Sequence, residues 1–136
     1  MKRFFLLTII LTVVVTGKVG AQEAASASKR ANQQYVLFES ERDKGTNVTA
    51  MYDYLMDSYE NFMKVVEAPD NSQYIGGAKN RLRALYPYLL NGAVYYSEQK
   101  QPSKALDFAA AYIDMPQLKL FRSELLPKDN RYACLL

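Results

Sequence analysis

Apolar residues recur at spacings of three and four along four separate stretches between residues 24 and 114, which is the period of an amphipathic α-helix. Residues that favour strands are scarce, since positions 22–136 contain only five Val, two Ile and two Thr. The breaks between the stretches are short, and short connections join antiparallel neighbours. The pattern therefore predicts an all-α fold of antiparallel helical hairpins.

Turn and cap residues delimit the predicted helices, which lie at about 24–42, 48–67, 77–98 and 102–114. Gly45 favours the end of the first helix. Asn47 or Thr46 is a suitable N-cap for the second, and Pro102 suits the first position of the fourth. Pro87 lies inside the third pattern, where it either kinks one helix or starts another. We favour a single kinked helix.

The amino terminus has the pattern of a secretory signal. Lys2 and Arg3 precede a 12-residue apolar run from Phe4 to Val15, and the small residues Gly20 and Ala21 follow. A membrane-spanning helix needs about 20 apolar residues, so this run is short for one. We expect residues 1–21 to be a cleaved signal peptide that exports the protein to the periplasm or cell envelope. An uncleaved membrane anchor is the alternative; after cleavage no stable membrane span is expected.

Composition excludes several classes of chemistry. Without residues 1–21 the chain carries 14 basic and 14 acidic residues, so no basic field remains to bind nucleic acid. The chain contains no His, which removes His-dependent nucleophilic catalysis and most zinc sites. Cys134 is the only cysteine, so no internal disulfide can form. It is also a poor candidate for a catalytic nucleophile, because no His is present to activate its thiol. We predict a non-enzyme without metal or cofactor.

Two charged clusters stand out on the predicted helices. The acidic residues Asp53, Asp57 and Glu60 share a face of the second helix, and Lys79, Arg81 and Arg83 form a basic group on the third. A cation or a phosphate would suit them, but no calcium-loop pattern is present. We interpret both as solvated helix faces.

Small and aromatic residues alternate between Leu89 and Pro116. Gly92, Ala93 and Tyr96 occupy the first helix of this stretch, and Ala105, Phe108, Ala109 and Tyr112 occupy the second. With the Tyr-Pro-Tyr-Leu-Leu and Tyr-Ile-Asp segments, it resembles the tetratricopeptide repeats of exported helical proteins of the Bacteroides group. It departs from that repeat by lacking an opening Trp and by having Tyr112 at a usually small position.

The resemblance implies an α-solenoid fragment with one domain over residues 22–136. It would contain a degenerate helix pair at about 24–67, a repeat-like pair at about 77–114 and a further helix at about 129–136. That last helix would begin at Pro127-Lys128-Asp129 and end in apolar residues. It either docks on the core or belongs to a longer, truncated protein. Stacked repeats of this kind bind partners on a concave face.

Tyrosine is unusually abundant, with 11 residues. These rings either fill contacts between helices with their hydroxyls in water, or line a groove that holds a peptide or a sugar ring. Tyr52, Tyr88 and Tyr95 lie off the main apolar stripes and are the predicted binding surface. The first functional hypothesis is a protein- or peptide-binding scaffold of the envelope. The second is a carbohydrate-binding component of an outer-membrane glycan-capture system.

Overall fold

The computed structural model describes residues 2–124 and 126, with side chains from residue 22 onwards, and contains no strand in that range. Its helices are α1 (Lys2–Lys44), α2 (Val48–Glu67), α3 (Ile75–Glu98) and α4 (Pro102–Asp114), and two 3₁₀ turns follow at Met115–Gln117 and Lys119–Phe121. The prediction of an all-α fold of packed helix pairs is confirmed. The predicted helix at 129–136 and Cys134 lie outside the described residues.

The first helix is longer than its apolar pattern indicated. We expected it over about residues 24–42, whereas α1 extends from Lys2 to Lys44. The first proline of the chain is Pro69, so no residue in this stretch interrupts the backbone hydrogen bonds. The apolar run and the following Ala/Ser-rich stretch are both compatible with a helix. The signal peptide stays a prediction.

The connection between α1 and α2 is built from the residues that the sequence indicated. Gly45 has a φ of +65°, and its N–H donates to the Glu41 carbonyl at 2.9 Å. This left-handed conformation suits glycine and ends the helix. Asn47 is the N-cap of α2, because its side-chain oxygen accepts from the Ala50 N–H at 3.0 Å. The chain reverses within three residues, so α2 runs back along α1.

Contacts between α1 and α2 fix the register of this first hairpin. The buried Ser58 hydroxyl donates to the Ala31 carbonyl at 2.9 Å. Beside it, Arg30 forms an ion pair with Asp57 at 2.8 Å. Asp57 also accepts from Asn61 at 2.7 Å, so one acidic residue of the predicted cluster is held by neighbouring side chains.

Helix α3 continues through Pro87 as a single helix, as favoured from the sequence. It begins at Ile75, two residues before the predicted start, and Gly76 and Gly77 form its first turn. The buried apolar face of α3 consists of residues at spacings of three and four, namely Leu82, Leu85, Leu89, Ala93 and Tyr96.

Aromatic packing joins α3 to α4. Tyr86 stacks on Tyr112 with ring centroids 4.5 Å apart and planes 10° apart. Gly92 lies against the Phe108 ring, and a Cβ there would come within 2.6 Å of Phe108 Cε1. The second hairpin is therefore packed so closely that its contact point requires glycine. Ile113, which follows the buried Tyr112 on α4, is 50% exposed.

Candidate binding surface

The structure places the three predicted tyrosines in different environments. Tyr52 is only 7% exposed, and its ring lies 5.2 Å from Tyr95 and 5.6 Å from Phe108. The prediction that Tyr52 lies off the apolar stripe is wrong. Helix α2 buries a wider arc than one stripe because it packs against both α1 and α3. Tyr52 is therefore a core residue that packs beneath the Tyr95 ring, and its own ring is not accessible to a ligand.

Tyr95 is half-buried at the junction of α3 with the start of α2. Its hydroxyl lies 3.1 Å from Thr49 Oγ1, close enough for a hydrogen bond. Its ring contacts Tyr96 edge-on at 5.0 Å and Tyr52 at 5.2 Å. These contacts fix the ring while leaving part of it accessible.

Tyr88 is also half-buried, two turns earlier on α3. It meets Phe38 of α1 edge-to-face, with centroids 5.1 Å apart and planes at 73°. The Arg42 guanidinium lies 5.8 Å from the centre of the Tyr88 ring and 5.6 Å from that of Phe38. The ring thus stands between two helices with a cation beside it.

A second arginine lies on the same side of α3. The Arg81 guanidinium lies 4.2 Å from the centre of the Tyr35 ring, within the range of a cation–π contact. Burial is the main cause that raises the pKa of the Tyr35 hydroxyl above its ordinary value, so Tyr35 stays neutral near neutral pH. The sequence had assigned Arg81 to a solvated basic cluster with Lys79 and Arg83. The structure separates it from them.

We name the surface that carries these residues the Arg–Tyr face. It consists of Arg81, Ala84, Tyr88 and Tyr95 on α3 together with Arg42 on α1. The α3 members are spaced by three, four and seven residues and so share one side of the helix. From Arg81 to Tyr95 the helix rises about 21 Å. Two of the three predicted tyrosines belong to it.

The Arg–Tyr face offers two kinds of contact. A guanidinium stacked on an aromatic ring keeps N–H groups at its edge, where a carboxylate can accept them. The half-buried rings offer rigid apolar area with a hydroxyl at the tip. Such a surface can bind an anionic and partly apolar ligand without performing a reaction.

A concave region lies between α3 and α4. It is a groove of about 390 Å³ lined by Leu90, Ala93, Val94, Ser97, Pro102, Ala105, Leu106 and Ala109. Leu106 on its rim is 68% exposed. This groove was not predicted from the sequence, because Ala93, Ala105 and Ala109 also fit the interior of a tight hairpin. The available signal in the sequence was Leu106, an apolar residue that does not share the spacing of Ala105, Phe108, Ala109 and Tyr112.

Lys79, Arg83 and Asp53, which the sequence also singled out, have local partners. Lys79 and Arg83 both bind Glu124, each at 2.6 Å, and their hydrogen bonds lower the pKa of that carboxyl. Asp53 lies 4.0 Å from Lys104. Over residues 22–124 and 126, no group of three His, Cys, Asp or Glu side chains is arranged to hold a metal ion.

Burial raises the pKa of Tyr59 and of Tyr96 to about 12, with nearby carboxylates as a further cause. Both hydroxyls therefore stay protonated through the physiological range, and they belong to the core rather than to a reactive site.

Within the described part of the chain, none of the helices combines the length and the apolar character required to cross a membrane. No family model, curated protein or solved structure matches the chain. The geometry of these surfaces is therefore the basis on which a function can be proposed.

Proposed function

We propose that this protein is a non-catalytic scaffold of the cell envelope that holds a peptide segment of a partner protein on its Arg–Tyr face. The observation that carries the proposal is the alignment of Arg81, Tyr88 and Tyr95 on one side of α3, each seven residues from the next and each in contact with an aromatic ring of the scaffold. The surface is therefore held in shape before a ligand arrives, which lowers the entropic cost of binding.

The chemistry of the face indicates the kind of peptide. Arg81 lies at one end of the face and Arg42 lies beside Tyr88. Both guanidinium groups favour carboxylates, while Tyr88 and Tyr95 favour apolar or aromatic side chains. The rise of about 21 Å along the face matches about six residues of extended chain. We therefore propose an extended, acidic segment with apolar side chains as the ligand.

The packing of the two hairpins supports a repeat-like scaffold. The close approach of Gly92 to Phe108 is the kind of small-to-aromatic contact that lets paired helices of a repeat lie close together. We propose on this basis, and on the resemblance of residues 89–116, that the chain is a tetratricopeptide-like α-solenoid fragment.

The envelope location rests on the amino-terminal pattern. If residues 1–21 are a cleaved signal, protein recovered from the producing cell begins at Gln22. The intact mass of the secreted or periplasmic protein measures this directly. Material that retains Met1 would contradict both the cleavage and the argument for export.

A carbohydrate ligand is the second candidate, because the Tyr88 and Tyr95 rings are both partly accessible and fixed in orientation. Sugar rings stack on such platforms through apolar contact and hydrogen bonds. Binding of a neutral glycan would survive high salt, whereas binding of an acidic peptide would weaken as salt screens the arginines.

Affinity capture from the protein's own envelope fraction tests the proposal with a matched pair of variants. Ala84→Glu places a carboxylate between Arg81 and Tyr88, and Ala110→Glu makes the same change at an exposed position of α4. Both are exposed helical alanines, so neither should disturb the core. We expect Ala84→Glu to weaken retention of the partner by about tenfold or more through repulsion and blockage, and Ala110→Glu to leave it unchanged.

Mass analysis of the captured material distinguishes the outcomes. A protein that is retained by the unmodified scaffold and by Ala110→Glu, and lost from Ala84→Glu and in high salt, supports the proposal. Glycan on the scaffold that persists in high salt favours the carbohydrate candidate. Capture that is equal for both variants, or no capture at all, contradicts binding at the Arg–Tyr face.

A further inference from the structure

The large apolar side chains that remain exposed are concentrated on two helices. Among the residues with described side chains there are five, and Val48 at the start of α2 is one of them. The other four lie on α1 and α4. Packing joins α1 to α2, α2 to α3 and α3 to α4, so α1 and α4 are the first and last helices of the described array. The exposed apolar residues at its two ends are Val36, Leu37, Leu106 and Ile113.

The exposed side of α1 has an apolar pair with a lysine on either side. Val36 is 61% exposed and Leu37 is 42% exposed. Lys29 precedes Val36 by seven residues and Lys44 follows Leu37 by seven, and both lysines are exposed. Seven residues are two helical turns, so these four side chains share one side of the helix. We name this surface the basic outer face of α1.

The exposed side of α4 is apolar and has aspartates along its border. Leu106 is 68% exposed and Ile113 is 50% exposed, and Ala110 between them is exposed as well. Asp107 and Asp114 directly follow the two large apolar residues and are exposed. Their spacing of seven places both carboxylates on the same flank of the helix. We name this surface the acidic outer face of α4.

Nearby charges of the opposite sign have partners of their own. Asp43 at the end of α1 lies 3.1 Å from the Arg42 guanidinium. Lys104 on α4 lies 4.0 Å from Asp53 and 5.0 Å from the centre of the Tyr96 ring. The lysines therefore determine the charge of the outer face of α1, and the aspartates determine that of α4.

The two outer faces are complementary. Pairing one with the other brings lysines close to aspartates, whereas pairing two like faces would bring together charges of the same sign. The helix from Lys29 to Lys44 rises about 22 Å and α4 is about 20 Å long, so the two can lie along each other. The faces match in charge, in apolar character and in length.

The groove between α3 and α4 offers space for the apolar pair of α1. It has a volume of about 390 Å³, and Leu106 forms part of its lining. Ala105 and Ala109 line the same groove from α4. Small side chains allow another helix to approach closely, so Val36 and Leu37 of a second copy can reach into the groove beside Leu106.

We propose that the basic outer face of α1 in one copy of this chain docks on the acidic outer face of α4 in a second copy. Helical arrays ordinarily have polar outer faces at their ends, and here both ends expose apolar side chains that such docking covers. Two different faces meet, so each copy keeps one of them free and further copies add end to end. The contact is independent of the proposed function of the Arg–Tyr face.

A pair of blocking variants tests this contact. Val36→Glu adds a carboxylate to the outer face of α1, where it would meet Asp107 and Asp114 of the second copy. Leu106→Lys adds an ammonium group to the outer face of α4, where it would meet lysines. Val48→Glu is the matched control, because this valine is also exposed but lies at the start of α2. Circular dichroism checks the helicity of each purified protein, and sedimentation analysis measures its mass.

We expect the weight-average mass of the unmodified protein and of Val48→Glu to at least double between about 10 µM and about 1 mM, as for a small, transient interface. Val36→Glu and Leu106→Lys should each remain monomeric over this range. An equimolar mixture of the two should form dimers and nothing larger, because only one pair of intact faces is left.

Several results would overturn the proposal. Dimers of Val36→Glu alone would show that two α4 faces meet, and dimers of Leu106→Lys alone would show that two α1 faces meet. A mixture that stays monomeric would contradict the pairing of α1 with α4. Unmodified protein that stays monomeric up to about 1 mM would show that neither face binds a second copy. Leu37→Glu and Ile113→Lys repeat the mixing experiment if a variant of the first pair fails to fold.

Discussion

Gly92 shows how one residue sets the distance between two helices. It lies in the middle of α3 at a position where a glycine normally weakens a helix by about 1 kcal/mol relative to alanine. The Phe108 ring from α4 occupies the space that a Cβ would need. Close packing of the buried ring outweighs the local preference for alanine at this position.

Gly92→Ala should therefore lower the free energy of unfolding by about 1 to 2 kcal/mol, because the overlap with Phe108 exceeds the gain in helix propensity. Gly77→Ala is the matched control. Gly77 is also in α3, but a Cβ at this position would meet nothing within 4 Å, so this variant should be neutral or more stable by up to about 1 kcal/mol. Urea denaturation of both variants measures the difference, and equal stability would contradict the tight contact.

The binding surface was predictable from the sequence only in part. Tyr88 and Tyr95 were identified because they lie off the main apolar stripe of α3, and in the structure both are only half-buried. Tyr52 was misplaced, because the sequence does not show that α2 is covered on two sides. The position of Arg81 over Tyr35 joins residues 46 apart in the chain, and no local pattern reports such a contact.

At the scale of elements, the boundaries were predicted best where a residue has a clear capping role. The ends of α2 and α4 coincide with the prediction, since Asn47 and Pro102 mark their starts. The start of α3 was placed two residues late, because Ile75 precedes two glycines that resemble a turn. The start of α1 was missed, because a helix can continue through an apolar run that was assigned to the signal peptide.

Asn47→Ala should destabilise the protein by about 1 kcal/mol, because the Ala50 N–H at the start of α2 loses its side-chain acceptor. Asn47→Asp keeps an acceptor and should retain the stability. Thr46→Ala, at the other residue considered for the cap, should have little effect. Midpoints of chemical denaturation compare the three variants. A larger effect of Thr46→Ala than of Asn47→Ala would show that the cap is at Thr46.

At the scale of the whole molecule, aromatic rings join the two hairpins. Tyr52 from α2 meets Tyr95 and Tyr96 from α3 and Phe108 from α4, with ring centroids 5.2 to 6.0 Å apart. Three helices thus share one cluster near the start of α2. Because Tyr59 and Tyr96 are buried with neutral hydroxyls, the stability of the folded protein depends on these hydroxyls staying protonated.

The protein should accordingly lose stability between about pH 10 and about pH 12. The pKa of Tyr59 and of Tyr96 is raised from 10.0 to about 12 in the folded protein, mainly by burial. Above pH 10 the unfolded chain releases these protons while the folded protein retains them, so the free energy of unfolding falls as the pH rises. Below pH 10 the contribution is fully present.

Denaturant unfolding at a series of alkaline pH values measures this dependence. Tyr96→Phe removes one of the buried ionisable hydroxyls, so the stability of this variant should fall less steeply over the same interval. A stability that stays constant up to pH 12 would contradict the burial of both hydroxyls.

The stacked pair of Tyr86 and Tyr112 also has an optical consequence. The chain contains no Trp, so tyrosines dominate its near-ultraviolet spectrum. Two rings 4.5 Å apart and almost parallel couple their electronic transitions, and they should produce a dichroic signal that vanishes when α4 separates from α3. Detachment of that helix can therefore be followed in unlabelled protein, independently of the loss of backbone helicity.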